Sequence, residues 1–336
     1  MESLTAAVLA GPPNSPMIKS LSLDLERRGF IVYIVCSDVE EEQLVEGESR
    51  ADVRPLHLDV ADVVGTRDAM ERFHSLLLRP HVAFAGASPH NVTFRGLVLV
   101  PDLIYPSGPI ETIGPELYSD ALNAKVLNTI AVTQAFLPLV CDSKARVLVC
   151  TPSIVSSLRP PFHSVETAVV GALEGFTASL RSELGTLGID VCQFKLGTFD
   201  CSHVGGSSSS NKQQLQAAAA GPNTFLWPSA TKKLYQANYV NQDRVGRSRG
   251  LFSQAGSSGS SLRQLHKDVF DALTQKRPRR VWHVGRGSVT YHLVGTWAPA
   301  GLVGWMMGVQ RVALSEPEDP HLEDSVQSWE KVEKAV

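Results

Sequence analysis

Over residues 1–200, short apolar runs alternate with longer stretches in which apolar positions recur at helical spacing, as in strand–helix–strand units. Residues 5–10 form an apolar run closed by Gly11-Pro12-Pro13. Ile18, Leu21, Leu23 and Leu25 follow, and Arg27-Arg28-Gly29 supplies a basic last turn with a glycine stop. Residues 31–36 are continuously apolar and rich in β-branched side chains, as a strand buried on both faces requires. The same spacing predicts strands over 53–58, 97–100, 145–150 and 190–196. It predicts helices over 63–78, 117–140 and 163–187, the second of them stopped near Pro138. Six strands with intervening helices predict an α/β fold built on a doubly wound parallel sheet.

After Thr198 the pattern changes. Residues 205–222 and 253–261 are rich in Gly, Ser, Ala and Gln and poor in bulky apolar side chains, too little to offset the entropy of ordering. A flexible insertion is therefore expected over about 200–262. A helix over 262–273, a strand over 280–284 and a short helix from Gly301 complete one domain, residues 1–314. The segment from Tyr291 to Gln310 is apolar but interrupted by Pro299 and several glycines, so peripheral membrane contact between Trp297 and Met307 is conceivable and a transmembrane segment is not expected. Trp282, Trp297, Trp305 and Met306 are expected to pack a C-terminal lid over the cleft or to form an interface. Residues 315–336 carry Glu316, Glu318, Asp319, Glu323 and Asp324 and read as a solvated acidic tail.

Composition narrows the function classes. With 43% apolar and 19% charged residues, the 336-residue chain can bury a real core. A net charge of −3 supplies no basic face for phosphate backbones, so no nucleic-acid partner is expected. Cys36, Cys141, Cys150, Cys192 and Cys201 are odd in number and lack close pairs, which argues against a disulfide scaffold and a zinc site and for buried thiols in a reducing compartment. No metal is expected. The start MESLTAAVLAGPP lacks a basic leader region and reads as a first strand, which points to the cytoplasm, with peripheral contact to an organelle membrane as the variant.

The order of motifs resembles the short-chain dehydrogenase/reductase superfamily, and in places a divergent fungal group, the DUF1776 family. GALEGFTASLRSEL (171–184) is similar to the superfamily helix that carries an active-site tyrosine and lysine near its start. HLDVAD (57–62), PSGPIE (106–111) and TQAFLPL (133–139) match further positions in the right order. The resemblance implies a Rossmann-type domain that binds NAD or NADP, oxidoreductase chemistry, a small apolar ligand, and a homo-dimer paired through helices 117–140 and 163–187.

Carried over position by position, the resemblance also exposes losses. The tyrosine position falls on Glu166 and the lysine position on Val170, while the substrate-holding serine falls on Ser153. No tyrosine in the chain is followed four residues later by lysine. The asparagine position falls on Lys125, with Asn123 and Asn128 nearby. In the first turn Gly11 matches a superfamily glycine, and Asn14 and Ser15 could meet a phosphate, but three prolines remove N–H donors. That turn reads equally as a capped strand-to-helix connection. Asp59 and Val60 match the pair facing an adenine ring, or Asp59 caps the next helix. Thr198 follows the sixth strand, where a nicotinamide amide would lie. The end of the second strand, Cys36-Ser37-Asp38, does not choose between NAD and NADP.

Two functions remain open at this level. One is a non-catalytic or impaired ligand- or partner-binding protein on a reductase scaffold. The other is an NAD(P)-dependent oxidoreductase reducing an apolar carbonyl with Ser153 and Glu166. A carboxyl in an apolar pocket can serve as an acid, yet Val170 provides no neighbouring cation, and pairing of Glu166 with Lys125 would oppose that role. His163, one turn away, is a further conceivable acid.

Overall fold

The computed structural model describes residues 4–47, 52–60, 62–78, 92–101, 107–200, 227–249 and 260–309. β1 (Leu4–Ala10), β2 (Phe30–Cys36) and β3 (Val53–His57) alternate with α1 (Pro16–Arg27), α2 (Val39–Glu46) and α3 (Val63–Leu78). β4 (Val92–Leu99) leads to a helical run made of α4 (Pro115–Ala121), a π-turn (Leu122–Leu127) and α5 (Asn128–Ser143). β5 (Arg146–Pro152), α6 (Ser153–Leu158), α7 (Ser164–Gly185) and β6 (Val191–Leu196) follow. Beyond a two-residue β7 (Phe199–Asp200) come α8 (Ser229–Arg249), β8 (Ser260–Ser261), α9 (Leu262–Thr274), β9 (Val281–Val284), α10 (Ser288–Trp297) and α11 (Ala300–Met306).

Seven strands form one parallel sheet in the order β3-β2-β1-β4-β5-β6-β9. The strand run reverses between β1 and β4, and at such a switch point an open α/β sheet leaves a crevice at the carboxyl ends of its strands. Alternate residues of each strand bury against opposite layers. Val32 and Ile34 of β2 pack with Ile18 and Leu25 of α1 and Leu265 and Val269 of α9. Ile31 and Tyr33 face the other layer with Phe73 of α3, Phe136 of α5 and Leu180 of α7. Both sides are apolar, which is why these strands read as continuous runs rather than alternating ones.

The structure departs from the expected elements in several places, the unforeseen α2 (Val39–Glu46) among them. α5 does not stop near Pro138: it runs on to Ser143 and closes on Lys144 in the left-handed conformation, φ 50°. Pro138 and Gln134, whose carbonyl loses its partner, lie on the exposed side, where water can replace the missing hydrogen bond. α6 was hidden because its six residues are too few for a periodic signal. Within the expected flexible insertion, residues 229–249 form a 21-residue helix, α8. Its aromatic residues hold it: Tyr239 meets Phe162 and Trp227 at ring-centroid distances of 5.3 Å each, and Gln242 donates to the Pro161 carbonyl at 2.7 Å. α10 was hidden by its Thr and Val residues and by Gly295, which lets the helix lie against α6, since a Cβ there would stand 2.2 Å from the Ser157 carbonyl. Most of the two low-complexity segments and the acidic tail lie outside the described residues, as does Cys201.

One helical stretch, Pro115–Ser143, has the length and apolarity to cross a membrane, with a mean hydropathy of 1.4 over its best window. Its Phe136 and Val140 are fully buried against the sheet. Cys36, Cys141, Cys150 and Cys192 are free thiols. Burial pushes Cys36 and Cys150 up to about 12 and Cys192 to about 11, Glu41 adding to the effect at Cys36.

Candidate functional site

A cavity of about 540 Å³ lies at the carboxyl ends of β1, β2, β3 and β4, closed on the far side by the π-turn and the start of α5. Gly11, Ser37, Glu41, Asp59, Val60 and Lys125 are among its lining residues. Of the residues expected from the sequence, Gly11, Asp59 and Val60 thus meet in one space.

Gly11 is required by the backbone itself. A Cβ at this position would stand 2.4 Å from the Val100 carbonyl oxygen, so the first strand and the fourth could not approach as they do. Asn14 and Ser15 do not line the cavity among its described residues. Ser15 caps α1, its hydroxyl accepting from the Met17 N–H at 3.3 Å while its own N–H goes to the Pro12 carbonyl at 2.9 Å. Pro12, Pro13 and Pro16 have no N–H to offer. Asp59 does not immediately precede α3, a place held by Asp62; the Asp59 carbonyl accepts from the Thr66 hydroxyl at 2.8 Å.

At the end of β2 stands a residue that the sequence reading passed over. Glu41 Oε2 accepts from both the N–H and the hydroxyl of Ser37, at 2.8 and 3.0 Å, while the Asp38 carboxylate accepts from the Glu41 N–H at 2.8 Å. The signal was present as Asp38-x-x-Glu41, a capping-box spacing at the start of α2. The clamp fixes a carboxylate at the cavity wall. Lys125 lies opposite it in the chain's only described π-turn, where the widened helical ladder carries the Lys125 carbonyl to the Thr129 hydroxyl at 2.6 Å.

Ser153 and Glu166 occupy different surroundings. Ser153 is fully buried at the start of α6, and its hydroxyl donates to the Ser288 carbonyl at 3.0 Å. Ser288 in turn donates through its hydroxyl to the Lys195 carbonyl at 2.6 Å. Thr198 and Arg286 exchange two backbone hydrogen bonds, at 3.0 and 3.2 Å. The segment from Arg286 to Ser288 therefore lies across the ends of β5 and β6, over both Ser153 and Thr198. Burial pushes the Tyr291 phenol up, opposed by a hydrogen bond with Thr198. Neither Ser153 nor Thr198 is among the described residues lining the cavity.

Glu166 sits in the first turn of α7 with its Oε2 3.3 Å from His163 Nδ1, both side chains largely covered. No Lys125–Glu166 pair forms among the described residues. Val170 is buried in the apolar cluster formed with Ile154 and Leu173, so no cation stands at that position. Behind α6, Lys195 donates to Ser156 at 2.8 Å and pairs with Glu174 at 3.1 Å, a set that ties β6 to α6 and α7. Among the described residues no group of three or more His, Cys, Asp or Glu side chains could hold a metal ion.

Trp282 is buried on β9 and stacked on Phe194 of β6 at 5.5 Å, so it packs within the sheet core rather than in a lid. Trp297 and Trp305 are 81% and 69% exposed, because α10 and α11 turn other side chains to the core; of the two expectations for them, a lid or an interface, packing under a lid does not occur within this chain's described residues.

A family profile, the fungal family of unknown function DUF1776, matches residues 5–304. The chain is 27% identical over 230 residues to the UPF0744 protein C106.03 of Schizosaccharomyces pombe, covering 65% of this chain and 60% of that one. It is 27% identical over 271 residues to the mitochondrial D-beta-hydroxybutyrate dehydrogenase of Bos taurus, covering 79% and 72% of the two chains. Among solved structures, a short-chain dehydrogenase from Streptomyces avermitilis superposes with a TM-score of 0.61 at 15% identity over 99% of this chain and 98% of the other. ElxO with NADP bound gives 0.57 at 12% identity over 86% and 100%. A match along nearly its whole sheet and both helical layers makes this chain a member of the fungal DUF1776 family, built on the short-chain dehydrogenase fold.

Proposed function

We propose that this protein binds an adenine nucleotide in the β1–β4 cavity and does not transfer hydride. The observation that carries this reading is a contrast within one crevice. The half bounded by Gly11, Asp59 and Val60 is an open cavity. The half at the ends of β5 and β6, where the fold would place a nicotinamide and its substrate, is covered by the Arg286–Ser288 segment, with the Ser153 hydroxyl engaged by Ser288.

The residues fit a nicotinamide dinucleotide at one end only. Asp59 and Val60 suit an adenine ring, and the Glu41 carboxylate suits ribose hydroxyls while repelling a 2′-phosphate, which favours NAD-type over NADP-type ligands. Lys125 brings a cation to the opposite wall of the same cavity for a phosphate. The proline-rich turn supplies few donors for a pyrophosphate, so binding of the whole dinucleotide is weakened. With no tyrosine–lysine pair in the sequence and Glu166 tied to His163, the superfamily's proton-transfer pair is not assembled among the described residues.

Calorimetric titration with adenosine 5′-monophosphate and with NADH tests the reading. Similar affinity for the two supports it; an affinity for NADH far above that for the mononucleotide overturns it.

A further inference from the structure

We infer that α10 and α11 form a docking surface for a phospholipid bilayer with anionic headgroups. The two helices are apolar on both sides. Val294, Val303 and Met307 point inward, packed on the cluster of α4, α6 and α7. That inner face fixes the pair in place, with Gly295 held against the Ser157 carbonyl.

On the outer side, Val289, Leu293 and Trp297 recur every four residues along one stripe of α10, and Leu302 and Trp305 continue it on α11. All five are exposed. A stripe of large apolar side chains left exposed opposite the packed face of a helix pair marks an interaction surface.

The charge pattern selects the occupant. Residues 287–310 contain no Asp, Glu, Lys or Arg and are bracketed by Arg286 and Arg311. No carboxylate occurs between Asp271 and Glu316, in a chain whose net charge is −3. Tryptophan settles at the boundary between hydrocarbon and headgroups, and flanking arginines meet lipid phosphates there. A second copy of the chain would set the exposed Arg286 against a like charge, whereas a lipid phosphate neutralises it. The break at Pro299 leaves two helices of 10 and 7 residues, each too short to span a bilayer and suited to lying at its surface.

The test is flotation of the purified full chain with vesicles of phosphatidylcholine, with and without phosphatidylserine, alongside tryptophan emission. The expected result is binding to the anionic vesicles, weaker binding to neutral ones, and a blue-shifted emission on binding. The double variant Trp297→Ser, Trp305→Ser should lose at least about tenfold in binding while keeping its circular dichroism; Arg286→Gln should weaken the anionic preference alone. Failure of the folded wild type to float with anionic vesicles overturns the proposal. So does a wild-type dimer in solution that the double variant converts to monomer, which would assign the surface to self-association.

Discussion

The hydroxyl of Ser153 donates to the main-chain carbonyl of Ser288, 135 residues away in sequence, at 3.0 Å. A serine at the end of β5 is thus engaged by the start of α10, and Ser288 passes the connection on to β6 through Lys195. One polar chain joins the two strands at the edge of the crevice to the C-terminal helices. The same contact that anchors those helices removes Ser153 from the solvent-accessible part of the site.

Ser153→Ala is accordingly expected to act on stability. Loss of one buried hydrogen bond costs about 1 kcal/mol, read as a lower urea midpoint at unchanged slope. Affinity for adenosine 5′-monophosphate should stay as in the wild type. A tenfold loss of that affinity at unchanged stability would instead place Ser153 in the binding site.

Glu41→Gln should relax discrimination against a 2′-phosphate. Removing one partly exposed charge beside the cavity is expected to raise affinity for adenosine 2′,5′-bisphosphate about fivefold relative to the 5′-monophosphate. An unchanged ratio would mean that Glu41 does not face the ribose.

Gly11→Ala should destabilise the fold independently of any ligand. The added methyl would press on the Val100 carbonyl at 2.4 Å, and forced overpacking of this kind costs about 1–3 kcal/mol. Thermal melting without nucleotide measures it, and an unaltered melting temperature would contradict the close approach of β1 to β4.

The thiols carry a reactivity pattern. Cys36, Cys150 and Cys192 are buried and pushed up to about 12, 12 and 11, so they stay protonated at pH 8. Alkylation of the native protein followed by mass mapping should leave these three unmodified while the partly exposed Cys141 reacts, and unfolding should release all of them. Rapid modification of Cys36 in the native state would contradict its burial.

Acid should weaken the packing of α1 on α9. His266 accepts or donates at 2.7 Å to Ser20 in a buried position. Burial lowers its titration below the ordinary 6.5, with Asp24 opposing. Because the folded protein disfavours the protonated ring, the contribution is fully present above about pH 6.5 and is lost as pH falls through the folded value. Melting temperatures from pH 8 to pH 5 should drop more steeply for the wild type than for His266→Gln. Equal slopes would remove His266 from the acid response.

The strand and helix order was legible because both faces of the sheet are covered, which leaves runs such as residues 31–36 without polar interruptions. α8, α10 and α6 were not legible for separate reasons. α8 is polar along most of its length and is held by aromatic contacts with Phe162, far away in sequence, and with Trp227 just before it. α10 is rich in β-branched residues and carries Gly295, and α6 is too short for a period. In the site, the matched positions Gly11, Asp59 and Val60 came together, since the strand ends that carry them are set by the sheet. Asn14 and Ser15 did not join them, because capping α1 uses Ser15 locally. The covering of Ser153 and Thr198 had no local signature at all: it depends on a segment that begins at Arg286, brought across by β9 joining the edge of the sheet.

The most direct measurement compares equilibrium affinities of the wild-type chain for adenosine 5′-monophosphate and NADH under one set of conditions. An open adenosine half beside a covered nicotinamide half should give dissociation constants within about threefold of each other, less than ~1 kcal/mol apart. NADH binding more than about tenfold tighter than the mononucleotide, or no binding of either, would contradict it.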